Sequence, residues 1–257
     1  TMCEACRPKR NHRLAKESDA ERSARQTFIE EFTTQLEAWQ GDLLSALRDG
    51  AIILVAREAA RRTVTRTLDA HRDTIRSTFE TLWLDGADAS RAATARRYDL
   101  DVSEELSDRV TRELQQYADQ AWSETSETMI LEITDALRDA HDDGLGVPEI
   151  ERILREDVFP DMRGYEAERA ARTSATGAAG RGAVSSIRDA GAPGKEWLAE
   201  EGTRTRDSHR RADGQVVPVG AKFTVGAGHQ AWWPGDPRLP LDELINCRCG
   251  VAPVWDL

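Results

Sequence analysis

The sequence predicts a mainly α protein, with long amphipathic helices in its N-terminal part and a small, loop-rich α+β module at its C-terminal end. Three observations lead there. Up to about residue 170 the chain is rich in Ala, Arg, Glu and Asp and poor in Gly and Pro, and its apolar residues return at steps of three and four. From Lys195 to Val254, Gly, Pro, Trp, His and Cys crowd together. Hydrophobic residues make up 39% of the 257 and charged residues 32%, which favours elongated helices with solvated faces over a compact globule. The organisation that follows is a basic flexible tail over 1–17, a long-helix scaffold over 18–159, and the module over 160–257.

Taken in order, Ser18 and Asp19 can cap a first helix whose stripe is Phe28, Phe32, Leu36, Trp39, Leu43 and Leu47, with Gly50 as its stop. A second helix carries Ile53, Val64, Leu68, Ile75, Phe79 and Leu82 and ends near Asp85-Gly86; residues 86–101 read as a polar connector. A third begins at Ser103, carries Leu106, Val110, Leu114, Tyr117, Ile130, Ile133 and Leu137, and stops at His141-Asp142-Asp143-Gly144. A shorter helix runs from Pro148 to about Val158. After Pro160 another covers roughly 161–191, broken by the small residues of TSATGAAGRGA. The narrow stripes leave the helical part short of core, so self-association through helices is expected to complete it. Beyond Gly194, Glu196–Leu198, Gln215–Pro218, Lys222–Val225 and Ile245–Cys249 read as short strands among glycine turns. A sheet this small needs a supporting helix or a staple, and 161–191 is the natural support.

The net charge is −11, which argues against bulk nucleic-acid binding. Lys stands only at 9, 16, 195 and 222, and every other one of the 35 basic residues is Arg. With the acidic surplus, that composition is compatible with a halophile. The exception is RPKRNHRLAK at 7–16, where Arg7, Lys9, Arg10 and Arg13 form either a solvated tail or an arm touching DNA or a partner. The longest apolar run, AIILVA at 51–56, is too short to span a bilayer, and the polar, basic start does not read as a signal peptide. A soluble, cytosolic protein without membrane partners is expected.

The chemistry-bearing residues gather late. On a strand over 245–251, Cys247 and Cys249 share a face. Two thiolates with His209, and with Asp213 or Asp207 as fourth ligand, have the makings of a tetrahedral structural zinc site that would staple the module. The competing reading is two reduced, half-buried cysteines and a histidine bonded to backbone. Cys3-x-x-Cys6 could complete an all-thiolate site with Cys247 and Cys249, provided the two ends of the chain meet; otherwise it is a surface or partner-facing pair. His209 with Asp213 could also do acid–base work in a metal-dependent hydrolase or transferase, but no elbow or oxyanion hole accompanies Ser208. No catalytic constellation is complete, so no catalytic residue is assigned. Trp232 and Trp233 are expected to cover the module's small core.

The ordered pieces ARTSATGAAGRGAV at 171–184, KEWLAEEGTRTRDSHRRADGQVVP at 195–218, PGDP at 234–237 and LINCRC at 244–249 resemble the phage Mu F-like, SPP1-type minor head proteins of the head morphogenesis family. The resemblance covers roughly 160–254; the family's usual Ala-Arg-Thr-Glu is Ala171-Arg172-Thr173-Ser174 here, so the acidic residue at that point is missing. It implies a low-copy virion component of a tailed virus at the portal vertex or capsid interior, present in the host cytoplasm during assembly. The partners it implies are the portal protein, the major capsid protein, and packaged DNA facing the Arg-rich tail. It brings no catalysis, and zinc is the one cofactor expected.

Overall fold

The computed structural model describes residues 17–50, 52, 57–103 and 105–257, and its spine is one long helical run over 147–189 that contacts both the N-terminal helices and the C-terminal sheet. Ahead of it come α1 (Asp19–Arg48), α2 (Arg57–Asp69), α3 (Arg72–Tyr98) and α4 (Asp108–Asp142). Ser18 caps α1 in a reciprocal box: its hydroxyl accepts from the Glu21 N–H, and the Glu21 carboxylate accepts from the Ser18 N–H. Ser107, not Ser103, caps α4. Asp143 and the left-handed Gly144 (φ 73°) end it.

Further helix boundaries differ from the sequence reading. The expected single second helix is two, α2 and α3, parted at residues 70–71. Residues 86–98 are not a connector; α3 runs through them to Tyr98. Their Gly, Ala and Ser are the interface itself. A Cβ on Gly182 would lie 2.0 Å from the Ala87 carbonyl oxygen, and one on Gly86 would lie 3.3 Å from the Ala178 Cβ. Small residues were needed for close approach, and a polarity pattern cannot distinguish that from a loop. Pro160 also fails to break the chain's course. The run passes through α5 (Val147–Ile153), a π-helical turn (Leu154–Val158), α6 (Phe159–Asp161), a second π turn (Met162–Glu166) and α7 (Ala167–Asp189). A widened turn on each side of the proline re-pairs the backbone that its ring would otherwise interrupt. TSATGAAGRGA therefore lies inside an unbroken helix.

The expected shortage of core is not found. Phe28, Phe32, Leu36, Trp39, Leu43, Phe79, Leu114, Ile133 and Leu137 are all buried within the one chain. Phe28 meets Phe79 edge-on at 4.8 Å, and Trp39 meets Phe159 edge-on at 5.5 Å. The stripes of α1 to α4 thus satisfy one another and the first half of α7.

A second core lies at the other end of α7. There β1 (Gly194–Leu198) is the centre of an antiparallel sheet ordered β2-β1-β5, flanked by β2 (Val216–Pro218) and β5 (Gly250–Val254). A separate hairpin joins β3 (Phe223–Val225) to β4 (His229–Ala231). The expected strand over Ile245–Cys249 is instead a turn, and β5 starts one residue later. Trp197, Phe223, Val225, Ala231, Trp233, Leu239 and Leu244 pack with Val184 and Ile187 of α7. The module therefore has a core of its own. Trp233 is buried in it, and Trp232 covers it from the side. The Tyr117 ring of α4 meets Trp233 at 6.0 Å and touches both cores. Because α7 serves both, the boundary drawn at residue 160 falls inside a continuous helix.

Buried charges lock the junction. Arg181 is paired with Glu113 at 2.9 Å, and its guanidinium lies over the Trp233 ring. Lys195, fully buried, donates from Nζ to the Trp232 carbonyl at 2.7 Å and sits over the Phe223 and Trp232 rings. Burial, helped by Arg188, pulls its pKa down to about 8 from 10.5. The unfolded chain then holds this proton to higher pH than the folded one, so stability rises with pH across the window from about 8 to about 10.5. That rise is on the order of 3 kcal/mol. Lys195→Met should flatten it, as denaturant midpoints of the two proteins measured at pH 7.5 and 10 would show.

Candidate metal centre

The six-residue helix α8 (Asp207–Ala212) points His209 inward, where its ring is 2% exposed and meets Trp197 edge-on at 5.6 Å. Opposite it, α9 (Leu241–Leu244) runs into a tight turn in which the Cys247 N–H donates to the Leu244 carbonyl at 3.1 Å. Asn246 takes a left-handed conformation (φ 58°) in that turn, and this sharp reversal brings Cys247 and Cys249 to the same side. The turn is held on α7: Thr176 donates to the Cys247 carbonyl at 2.7 Å, Arg172 to the Asn246 side chain at 3.2 Å, and the Asn246 N–H to Thr173 at 3.2 Å.

The result is a buried cluster. His209 Nδ1 lies 3.3 Å from Cys249 Sγ and 3.6 Å from Cys247 Sγ. Ligand atoms of the three residues all fall within 4.8 Å of one another. Zinc bonds of about 2.0–2.3 Å to nitrogen and sulfur put neighbouring corners of a tetrahedron about 3.3–3.9 Å apart. The His–Cys distances match those edges, and one imidazole with two thiolates is a donor set suited to zinc. The residues fit three corners. Both cysteines are free thiols, and their ionisation is unequal. A hydrogen bond from Cys247, opposed by burial and reinforced by His209, brings Cys249 down to about 5. The same sharing, with burial, pushes Cys247 well up. One sulfur is thus already disposed to be the thiolate.

Of the residues singled out in the sequence, His209, Cys247 and Cys249 come together. Asp213 does not join them. It follows the end of α8, and its carboxylate accepts the Ala199 N–H at 2.7 Å, fastening α8 to the end of β1. Four residues from His209 along the chain, it is the wrong carboxylate because the helix stops at Ala212 and its backbone turns away. Asp207, the other candidate, pairs with Arg210 on the surface. Arg7, Lys9, Arg10, Arg13, Cys3 and Cys6 lie outside the described residues, as does Ile53.

The carboxylate that does reach the site is Glu243, which the sequence reading passed over. Its Oε2 lies 3.1 Å from His209 Nε2, on the ring edge away from the sulfurs, and accepts from Ser208 Oγ at 2.7 Å. The signal was available in the position of Glu243, a turn ahead of Cys247. With Nδ1 facing the sulfurs, this carboxylate would hold the ring's orientation from behind and raise its basicity as a ligand. Glu243→Gln is expected to weaken zinc binding by about 10- to 100-fold, measured by competition with a chromophoric chelator.

The motif pieces thus converge on one end of α7. Ser208-His209 meets Cys247 and Cys249; Gln215 exchanges hydrogen bonds with the Thr224 backbone; Asp236 accepts the Trp232 N–H at 2.7 Å; and Gly235 packs on Gly177. Residues 131–252 match the family described as Phage Mu protein F like protein. The matched region accordingly begins in the second half of α4 and takes in the whole spine, the β3–β4 hairpin, the His209–Cys247–Cys249 cluster and all but the last two residues of β5. Its relatives are consistent. The chain is 30% identical over 131 residues to "Uncharacterized protein YqbB" of Bacillus subtilis (strain 168), covering 48% of this chain and 41% of that one. It is 36% identical over 62 residues to "Minor head protein GP7" of Bacillus phage SPP1, covering 24% of this chain and 20% of that one. The chain therefore spans less than half the length of these curated relatives. No solved structure matches it. Among the described residues, no helix is long and apolar enough to cross a membrane.

Proposed function

We propose that this protein is a structural component of a tailed-phage head, a minor head protein present at low copy at the portal vertex or on the capsid interior. The observation that carries this is the match of the Mu F-like region, supported by the likeness to the SPP1 minor head protein. The geometry favours the same side. His209, Cys247 and Cys249 are each at least nine-tenths buried and join two segments, α8 and the turn between α9 and β5, that share little regular structure. A zinc ion bound there acts as a clamp on the module. The reading as a metal-dependent hydrolase or transferase rested on His209 with Asp213, and Asp213 is engaged with the Ala199 N–H.

In this reading the helical scaffold docks on portal or major capsid protein, and the basic residues Arg7, Lys9, Arg10 and Arg13 face packaged DNA. Quantitative mass spectrometry of purified virions tests it. The protein is expected at a few copies per head, retained after tails are removed, and cross-linked to portal or capsid subunits. Its absence from mature and precursor heads alike would overturn the assignment.

A further inference from the structure

Cys247 and Cys249 lie close enough to bond each other as well as a metal, and they are not equivalent. Their sulfurs are within 4.8 Å. Closing a bond of about 2.05 Å therefore takes a shift of about 3 Å shared between two side chains. Cys249 lines a groove of about 840 Å³, together with Ala199, Glu200, Arg248 and Gly250, whereas Cys247, 1% exposed, is outside that lining. His209 Nδ1, 3.3 Å from Cys249 Sγ, is placed to take the proton of that thiol, and the Glu243 carboxylate stands 3.1 Å from Nε2 behind the ring. A thiol with a base and an approach, beside a second thiol with no approach, is the arrangement of an attacking and a resolving cysteine.

A groove of this size holds a molecule as large as a short peptide. We propose that Cys249 and Cys247 form a reversible disulfide by exchange with a low-molecular-weight disulfide that enters this groove. The Cys249 thiolate attacks one sulfur of the small disulfide, and the other sulfur leaves as a thiolate. Cys247, deprotonated in turn, attacks Cys249 Sγ and expels the second small thiolate. The two protons of the protein thiols end on the two small thiols, and two electrons pass from the protein to the small disulfide. Where zinc is bound, two of its donors are spent and it is released. The new bond spans two residues of one segment and so constrains little chain, whereas the metal joined α8 to the turn between α9 and β5. Oxidation thus exchanges a clamp across the module for a link inside one segment. A reducing cytoplasm keeps the thiols free, and an oxidising exterior closes them. Only the release of metal rests on the zinc reading above.

Arg248 stands between the two cysteines, so trypsin separates them and reports the bond. Full-length protein supplied with zinc is incubated with glutathione disulfide, quenched in acid, alkylated and digested. Peptides 239–248 and 249–257 should be recovered joined, as one mass that splits on reduction. Zinc should leave in step, one per chain, as read with a chromophoric chelator. Cys247→Ser should stop with glutathione on Cys249, and Cys249→Ser should gain none on Cys247 over the same time. Two separately alkylated peptides from the wild type, or either one joined to another cysteine of the chain, would overturn the proposal. So would equal uptake of glutathione by Cys247 in Cys249→Ser, which would remove the order of attack. Joined peptides from a chain that holds no zinc before oxidation would remove the metal centre and leave the disulfide standing.

Discussion

Cys247→Ser should release the C-terminal module. At zinc concentrations a thousandfold above the dissociation constant, bound metal stabilises the folded state by about 4 kcal/mol, and the variant forfeits that. For a chain of this size the loss corresponds to a fall in the unfolding midpoint of roughly 10 °C. The effect should be local. Hydrogen exchange should accelerate across 206–213 and 241–250, the segments that carry His209, Glu243, Cys247 and Cys249, while the α1–α4 core stays protected. Chelation of the wild type should reproduce the pattern. The module's own core of Trp197, Phe223 and Trp233 should survive in part, so the expected outcome is loosening and not complete unfolding.

Gly182→Val should cost about 4 kcal/mol, an unusually large effect for a residue without a side chain. A Cβ there would stand 2.0 Å from the Ala87 carbonyl oxygen and 2.8 Å from its carbonyl carbon. Those are backbone atoms of α3, which cannot swing aside like the end of a side chain. The two helices must part, and the contact is the one joining the scaffold to the spine. Gly41, also helical but with nothing within 4 Å of its would-be Cβ, provides the contrast. Gly41→Ala should stabilise by up to about 1 kcal/mol through helix propensity alone. Denaturant unfolding of the two variants separates packing from propensity.

Much of this fold is written in periodicity. The stripes Phe28–Leu47 and Val110–Leu137 fall on helices that bury those residues, and Ser18 caps where it should. Periodicity failed where the interface is made of small residues. Gly86, Ala87 and Ser90 contribute little hydrophobicity, yet they let α3 and α7 approach, so a tight contact looked like a connector. Pro160 misled for a different reason: π turns on both sides absorb its ring, and nothing local announces them. In the module, the glycines and prolines located the turns, but they placed the cysteines on a strand when a left-handed Asn246 sets them on a turn.

The cluster of His209, Cys247 and Cys249 was half legible. Residue type pointed to His209, Cys247 and Cys249, because thiolates and imidazole in a module of short strands have few other uses. The carboxylate was misassigned by nearness in sequence: Asp213 closes a helix end, whereas Glu243 crosses over from α9 to stand behind the histidine ring. Which carboxylate faces a ring depends on where two short helices meet, and that is a property of the packed module.

The clamp can be tested most directly by counting metal. Full-length protein refolded with trace zinc, then desalted, should carry one zinc per chain by elemental analysis, and His209→Ala prepared in parallel should carry none. A wild-type chain that folds with its C-terminal segments equally protected from exchange, yet retains no more zinc than His209→Ala, would contradict the account.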